Sequence, residues 1–101
     1  MANEPLSQKE IEDRLRELPG WALEGDRLRR TYRLPGHPAA GALVAHIVVI
    51  QEQLNHHSDV TLGYDTVGLA VHTHSAGGAV TETDFELAER VEKIAPAHGA
   101  S

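Results

Sequence analysis

The residues of this chain best suited to chemistry near neutral pH are its seven histidines. Four of them, His56, His57, His72 and His74, fall within nineteen consecutive positions (74 − 56 + 1). An unperturbed imidazole titrates at about 6.5, so it can give or take a proton at neutrality; in its neutral form it is also a common metal ligand. The chain has no cysteine, which removes thiolate zinc sites, disulfides and cysteine nucleophiles. Two chemistries stay open on the residues alone. One is acid–base catalysis by free imidazoles; the other is a metal held by His72 and His74 with His56 or His57 and a carboxylate.

Each histidine group also has a plainer reading. A lone histidine is usually a surface residue, and His37, His46 and His98 are read that way. A His-His pair at a helix end is commonly a cap with a solvated neighbour, and a strand His-x-His can be no more than a polar sheet face. Function therefore depends on whether the groups converge, and that depends on the elements that carry them.

Ser7-Gln8-Lys9-Glu10 has capping-box spacing, with Ile11, Leu15 and Leu18 following at helical intervals until Pro19-Gly20. Trp21-Ala22-Leu23, a turn at Glu24-Gly25-Asp26, and Leu28, Arg30 and Tyr32 in alternation predict a hairpin whose second strand has an arginine-rich, solvated or edge face. Pro35-Gly36-His37-Pro38 breaks that strand. From Ala39 to Asn55, Leu43, Ile47, Ile50 and Leu54 form one apolar stripe, widened by Val44 and Val48, which predicts the longest helix. Val60, Leu62 and Tyr64, a turn at Asp65-Thr66, and Val67, Leu69, Val71 and Thr73 predict a second hairpin. Ser75 to Gly78 reads as a loop. A last helix starts near Thr81 and carries Phe85, Ala88, Val91 and Ile94. The order α-β-β-α-β-β-α, with tight turns between sequential strands, implies an α+β fold: a four-stranded antiparallel sheet with three helices on one face. The polar ends, Met1 to Pro5 and Pro96 to Ser101, are expected to fray.

In this arrangement His56 and His57 leave the long helix. His72 and His74 share one strand face, opposite Val71 and Thr73, and that face also carries the small residues Gly68 and Ala70. If the helix end meets the second hairpin, three or four imidazoles surround one pocket.

The rest of the composition narrows the setting. The 101 residues fit a single domain spanning 1–101, and the formal net charge of −6 argues against nucleic-acid partners, which need a basic surface. The N-terminal residues lack the pattern of a secretory signal, and no apolar stretch approaches membrane-spanning length, so a soluble cytoplasmic protein without membrane partners is expected. A domain of this size buries only about 60% of its unfolded surface, which makes self-association a reasonable expectation.

The run Glu52-Gln53-Leu54-Asn55-His56-His57, followed by Tyr64, Thr73-His74, Gly77-Gly78 and Asp84-Phe85-Glu86-Leu87-Ala88, resembles the pterin-4a-carbinolamine dehydratase family. Gly20-Trp21 and the arginine-rich hairpin resemble the front of the same family, and the likeness covers roughly Ile11 to Ala95. Ser58 and Val60 stand where the family commonly has proline and tryptophan. The resemblance implies the same α+β fold, and homodimers or homotetramers with sheets joined edge to edge. It also implies dehydration of 4a-hydroxy-tetrahydropterin to quinonoid dihydropterin, with pterin as the small-molecule substrate and neither a metal nor an organic cofactor. By position, His56 and His74 match the general acid and base, His57 the histidine holding the pterin, and Asp84 an acidic orienter of an imidazole. Asn55, His72, Thr73 and Ser75 match residues lining the ring pocket, and Glu52 the helix carboxylate behind the histidine pair. The same fold also implies an alternative role as a noncatalytic binding or assembly module.

Overall fold

The computed structural model describes residues 4–101. Its elements are α1 (Gln8–Leu15), β1 (Ala22–Glu24), β2 (Arg27–Arg33), α2 (His37–Leu54), β3 (Asp59–Leu62), β4 (Thr66–Val71) and α3 (Glu82–Ile94), with 3₁₀ turns at His74–Ala76 and Ala95–His98. This is the expected α+β order. The sheet runs β1-β2-β4-β3 and every pairing is antiparallel, so the two hairpins meet along β2 and β4.

The period-2 pattern sorts the sheet into two faces. Leu28, Tyr32, Val67, Leu69 and Val71 are buried beneath the helices, against Leu43, Ile47 and Ile50 of α2 and Phe85, Ala88 and Val91 of α3. Arg29, Thr31, Arg33 and Thr61 point the other way, onto a face that no helix covers. Arg30 lies on the helix side, and its guanidinium sits 4.0 Å over the Tyr32 ring. Glu92 of α3 accepts hydrogen bonds from Trp21 Nε1 (2.9 Å) and Tyr32 Oη (2.6 Å), which fastens the first hairpin under the last helix.

Several local expectations are corrected. The long helix starts at His37 rather than Ala39. Pro38 lies in its first turn, where the missing N–H has no intrahelical partner to lose. β3 ends at Leu62, and Tyr64 stands exposed in the turn, its ring stacked on His37 and its carbonyl accepting from His37 Nδ1 (2.8 Å). His46 and His98 are not isolated surface residues: His46 Nδ1 and His98 Nε2 share a hydrogen bond of 2.9 Å between α2 and the C-terminal turn. Nor do the described ends fray. Arg33 and Ser101 exchange backbone hydrogen bonds of 3.1 and 3.0 Å, Pro5 bridges Thr81, and Leu6 N–H donates to the Val80 carbonyl. The expectation for Met1 to Asn3 lies outside the described residues. Among the described residues, no helix is long and apolar enough to cross a membrane.

Candidate active site

The exit of α2 is built to turn sharply. Asn55 caps the helix in the left-handed region (φ 50°, ψ 45°), a conformation asparagine tolerates better than most residues, and its N–H reaches the Gln51 and Glu52 carbonyls. His56 N–H also returns to the Gln51 carbonyl at 2.9 Å. Beyond the pair, the buried side chain of Gln51 accepts from the Ser58 N–H (2.9 Å) and hydroxyl (2.5 Å). The His56-His57 dipeptide is therefore pinned at both ends to one turn of helix. The Ser58 N–H is part of that anchor, which a proline at 58 could not supply.

β4 ends at Val71, two residues earlier than the alternation suggests. Thr73 N–H donates to the Ala79 carbonyl and Gly78 N–H to the Thr73 carbonyl, both at 3.0 Å, folding His74–Ala76 into a 3₁₀ turn. Gly77 (φ 71°) and Gly78 (φ 89°) make that reversal in a region costly for residues with a Cβ. Consequently His72 and His74 do not project from a strand as a pair. His72 is buried, whereas His74 is exposed on the turn.

The two segments are joined by Asp84. It is wholly buried and forms the capping box of α3 with Thr81, whose N–H it receives at 2.7 Å on Oδ2. The same oxygen accepts from the Thr73 hydroxyl at 2.7 Å, and Oδ1 lies 2.5 Å from His56 Nε2. Thr81 Oγ1 adds a bond to Thr73 Oγ1 at 2.7 Å. A carboxylate at Oδ1 requires the His56 proton on Nε2, which leaves Nδ1 as the nitrogen available to gain or lose a second proton. His57 has the same relation to Glu52 (Nε2 to Oε2, 3.0 Å), but both groups are largely solvated.

The resulting cavity, about 450 Å³, is walled by Leu54, Asn55, His56 and His57 on one side. Thr73, His74 and Ser75 form the other, with Thr83 from α3. Three imidazoles from two segments thus meet at one opening. Of the positions matched through the family resemblance, His56, His57, His74, Asn55, Thr73 and Ser75 line it, with Asp84 behind His56 and Glu52 beside His57. His72 does not line it. The strand stops before His72, and its ring is tucked against that of His74 (centroids 4.5 Å, interplanar angle 64°). Tyr64 also lies outside the lining. Among the described residues, no group of three or more His, Cys, Asp or Glu side chains is arranged to hold a metal ion.

Sequence reasoning missed Gln51, Thr81 and Thr83. For Thr81 a signal existed: Thr81-x-x-Asp84 is a capping-box spacing. A larger depression of about 790 Å³ lies on the helix-free sheet face, over Gly68 and Ala70. The room predicted above those small residues is there rather than at the histidines. Of its three arginines, Arg27 pairs with Asp59 (3.2 Å), Arg29 with Glu24 (3.4 Å) and Arg30 with Glu92 (3.7 Å).

Fold and cavity together define a small α+β protein with three imidazoles at the mouth of one cavity. The chain belongs to the pterin 4 alpha carbinolamine dehydratase family, whose model matches residues 4–94. It is 68% identical over all 101 residues to a Streptomyces avermitilis protein named "Putative pterin-4-alpha-carbinolamine dehydratase", covering the whole of both chains. It is 64% identical to the protein of the same name in Streptomyces coelicolor, over 99% of each chain. The crystal structure of a transcriptional coactivator/pterin dehydratase from Brucella melitensis superposes with a TM-score of 0.83 at 28% identity, covering 89% of this chain and 97% of the other. A pterin dehydratase-like protein identified as a RuBisCO assembly factor in the alpha-carboxysome shares the fold (TM-score 0.63, 16% identity, 76% and 90% covered).

Proposed function

We propose that this protein is a 4a-hydroxy-tetrahydropterin dehydratase, working by histidine acid–base catalysis on the pterin alone, without a metal or organic cofactor. The observation that carries the reading is the convergence of His56, His57 and His74 on one cavity, with a buried carboxylate locked on His56. In the proposed reaction an imidazolium protonates the C4a hydroxyl as the C–O bond breaks, and the hydroxyl leaves as water. The N5 lone pair forms the C4a=N5 bond, and a neutral imidazole removes the N5 proton, giving quinonoid dihydropterin. His56 and His74, from opposite walls, fill the acid and base roles, and His57 with Asn55, Thr73 and Ser75 holds the ring. General acid–base help of this kind is worth about 10² to 10⁴ in rate.

His56 has the arrangement such a role needs, because Asp84 fixes its tautomer and leaves Nδ1 for exchange. The alternative of a binding or assembly module draws support from structural relatives described as a transcriptional coactivator and a RuBisCO assembly factor. The three cavity imidazoles favour the enzyme, since a docking surface has no need of them. Self-association is part of the proposal: β3 is a sheet edge ending in the half-exposed Leu62, and α2 presents Val48 and Val49 at 50% and 52% exposure.

The deciding experiment is stopped-flow decay of chemically generated 4a-hydroxy-tetrahydropterin with and without the protein. Acceleration by wild type, reduced about tenfold or more in both His56→Ala and His74→Ala, is the expected result. Equal rates for folded wild type and both variants would overturn the catalytic reading.

A further inference from the structure

The three cavity imidazoles are not held alike. His56 is held by Asp84 and His57 by Glu52, each through Nε2. Among the described residues, His74 has neither a hydrogen bond nor an ion pair on its ring. It sits exposed on the 3₁₀ turn, and its one oriented neighbour is the ring of His72, edge to face at 4.5 Å and 64°. Without that contact the side chain would be free to rotate about both of its torsions.

His72 is fitted to be a fixed surface. It is 7% exposed, and its Nδ1 is buried with no hydrogen-bond partner. Behind it lies Gly78, whose left-handed backbone (φ 89°) brings the chain close. A Cβ placed on Gly78 would stand 3.8 Å from His72 Nδ1 and 3.4 Å from Asp26 Oδ2. The ring is thus backed by the glycine turn, with Asp26 of the β1–β2 turn beyond and His74 in front. An imidazole whose inner nitrogen is bonded to nothing and whose residue does not line the cavity is placed for packing, not for proton transfer.

We propose that His72 is the positioning residue of His74. Its ring would do by aromatic packing what Asp84 does for His56 by hydrogen bonding, without touching the substrate. Edge-to-face pairs have a preferred geometry, so a fixed ring restricts where its neighbour's nitrogens point. Holding a catalytic group in its reacting geometry raises kcat more than it changes substrate affinity. The kinetic side of this inference rests on the dehydratase reading; the orientation of His74 does not.

Two variants test it. His72→Phe keeps an aromatic ring and deletes the nitrogens; His72→Leu fills the site without a ring. Long-range ¹H–¹⁵N spectra and ring-to-ring NOEs of the substrate-free protein report the His74 orientation, beginning with wild type. Stopped-flow kinetics on the carbinolamine report kcat and KM. The expected result is a His72–His74 NOE in wild type, and a displaced His74 resonance kept in the Phe variant and lost in the Leu variant. The Leu variant should lower kcat about tenfold with KM within about twofold, and the Phe variant should restore kcat to within about threefold. Absence of the wild-type NOE, unchanged His74 signals and kcat in the Leu variant, or equal loss in two folded variants would overturn the proposal. If wild type itself fails to accelerate the reaction, the dehydratase reading falls, and the spectra alone decide the role of His72.

Discussion

Asp84 Oδ1 lies 2.5 Å from His56 Nε2, and the carboxylate is entirely shielded from solvent while the imidazole is nearly so. The other carboxylate oxygen takes two further donors, the Thr73 hydroxyl and the Thr81 N–H. In Asp84→Asn the amide oxygen can keep those two, and the NH₂ then faces His56. The imidazole must present a lone pair at Nε2 and carry its proton on Nδ1, the nitrogen that should exchange protons with substrate. The expected outcome is a fall in kcat of at least about tenfold in a folded protein, with the tautomer change visible in ¹⁵N spectra. A variant with wild-type kcat would separate Asp84 from the chemistry.

Glu52 provides the contrast. Its contact with His57 is exposed on both sides, and exposed pairs of this kind are worth about 0–1 kcal/mol. Glu52→Ala is expected to change kcat/KM by less than about threefold, far less than Asp84→Asn in the same assay.

The His46–His98 bond ties the C-terminal turn to the middle of α2. Removing either partner removes one hydrogen bond worth about 1 kcal/mol and leaves a half-buried nitrogen unpaired. At fixed protein concentration, His98→Ala should lower the melting midpoint by about 4–8 °C. His46→Ala should do the same, and the double variant should fall short of the sum, because the two positions share one interaction.

Tyr32 sets an alkaline limit. Burial, and then its bond to the Glu92 carboxylate, push the phenol well above its ordinary value. In the unfolded chain the phenol ionises near 10, so above that pH the unfolded state loses a proton that the folded state keeps. The stability due to the neutral phenol is therefore complete below about pH 10 and declines as pH rises further. Urea midpoints from pH 8 to 11 should fall more steeply for wild type than for Tyr32→Phe; parallel curves would show that Tyr32 does not set the limit.

Much of this architecture is legible from spacing. The stripe Leu43, Ile47, Ile50 marks the buried side of α2, and the alternation of Val67, Leu69 and Val71 marks the covered side of the sheet; both are local periodicities that burial follows directly. What spacing cannot carry is where a pattern stops. Val71 and Thr73 continue the alternation, yet two left-handed glycines reverse the chain, so His72 is buried while His74 is exposed on the turn beside it. Likewise Arg33 pairs with Ser101 and His46 with His98 across more than fifty residues, contacts without a local signature. The convergence of His56, His57 and His74 was conditional on a tertiary meeting that periodicity leaves open. The roles proposed for those residues come from the family resemblance, which spacing does not carry.

Because one buried carboxylate both seals the first turn of α3 and steadies His56, secondary structure and the proposed proton transfer share a fastening there. Mild urea that loosens the beginning of that helix would silence the protein while its far-ultraviolet dichroism still looks native. Inactivation curves should accordingly lead denaturation curves, and amide exchange at Thr81 should track the former.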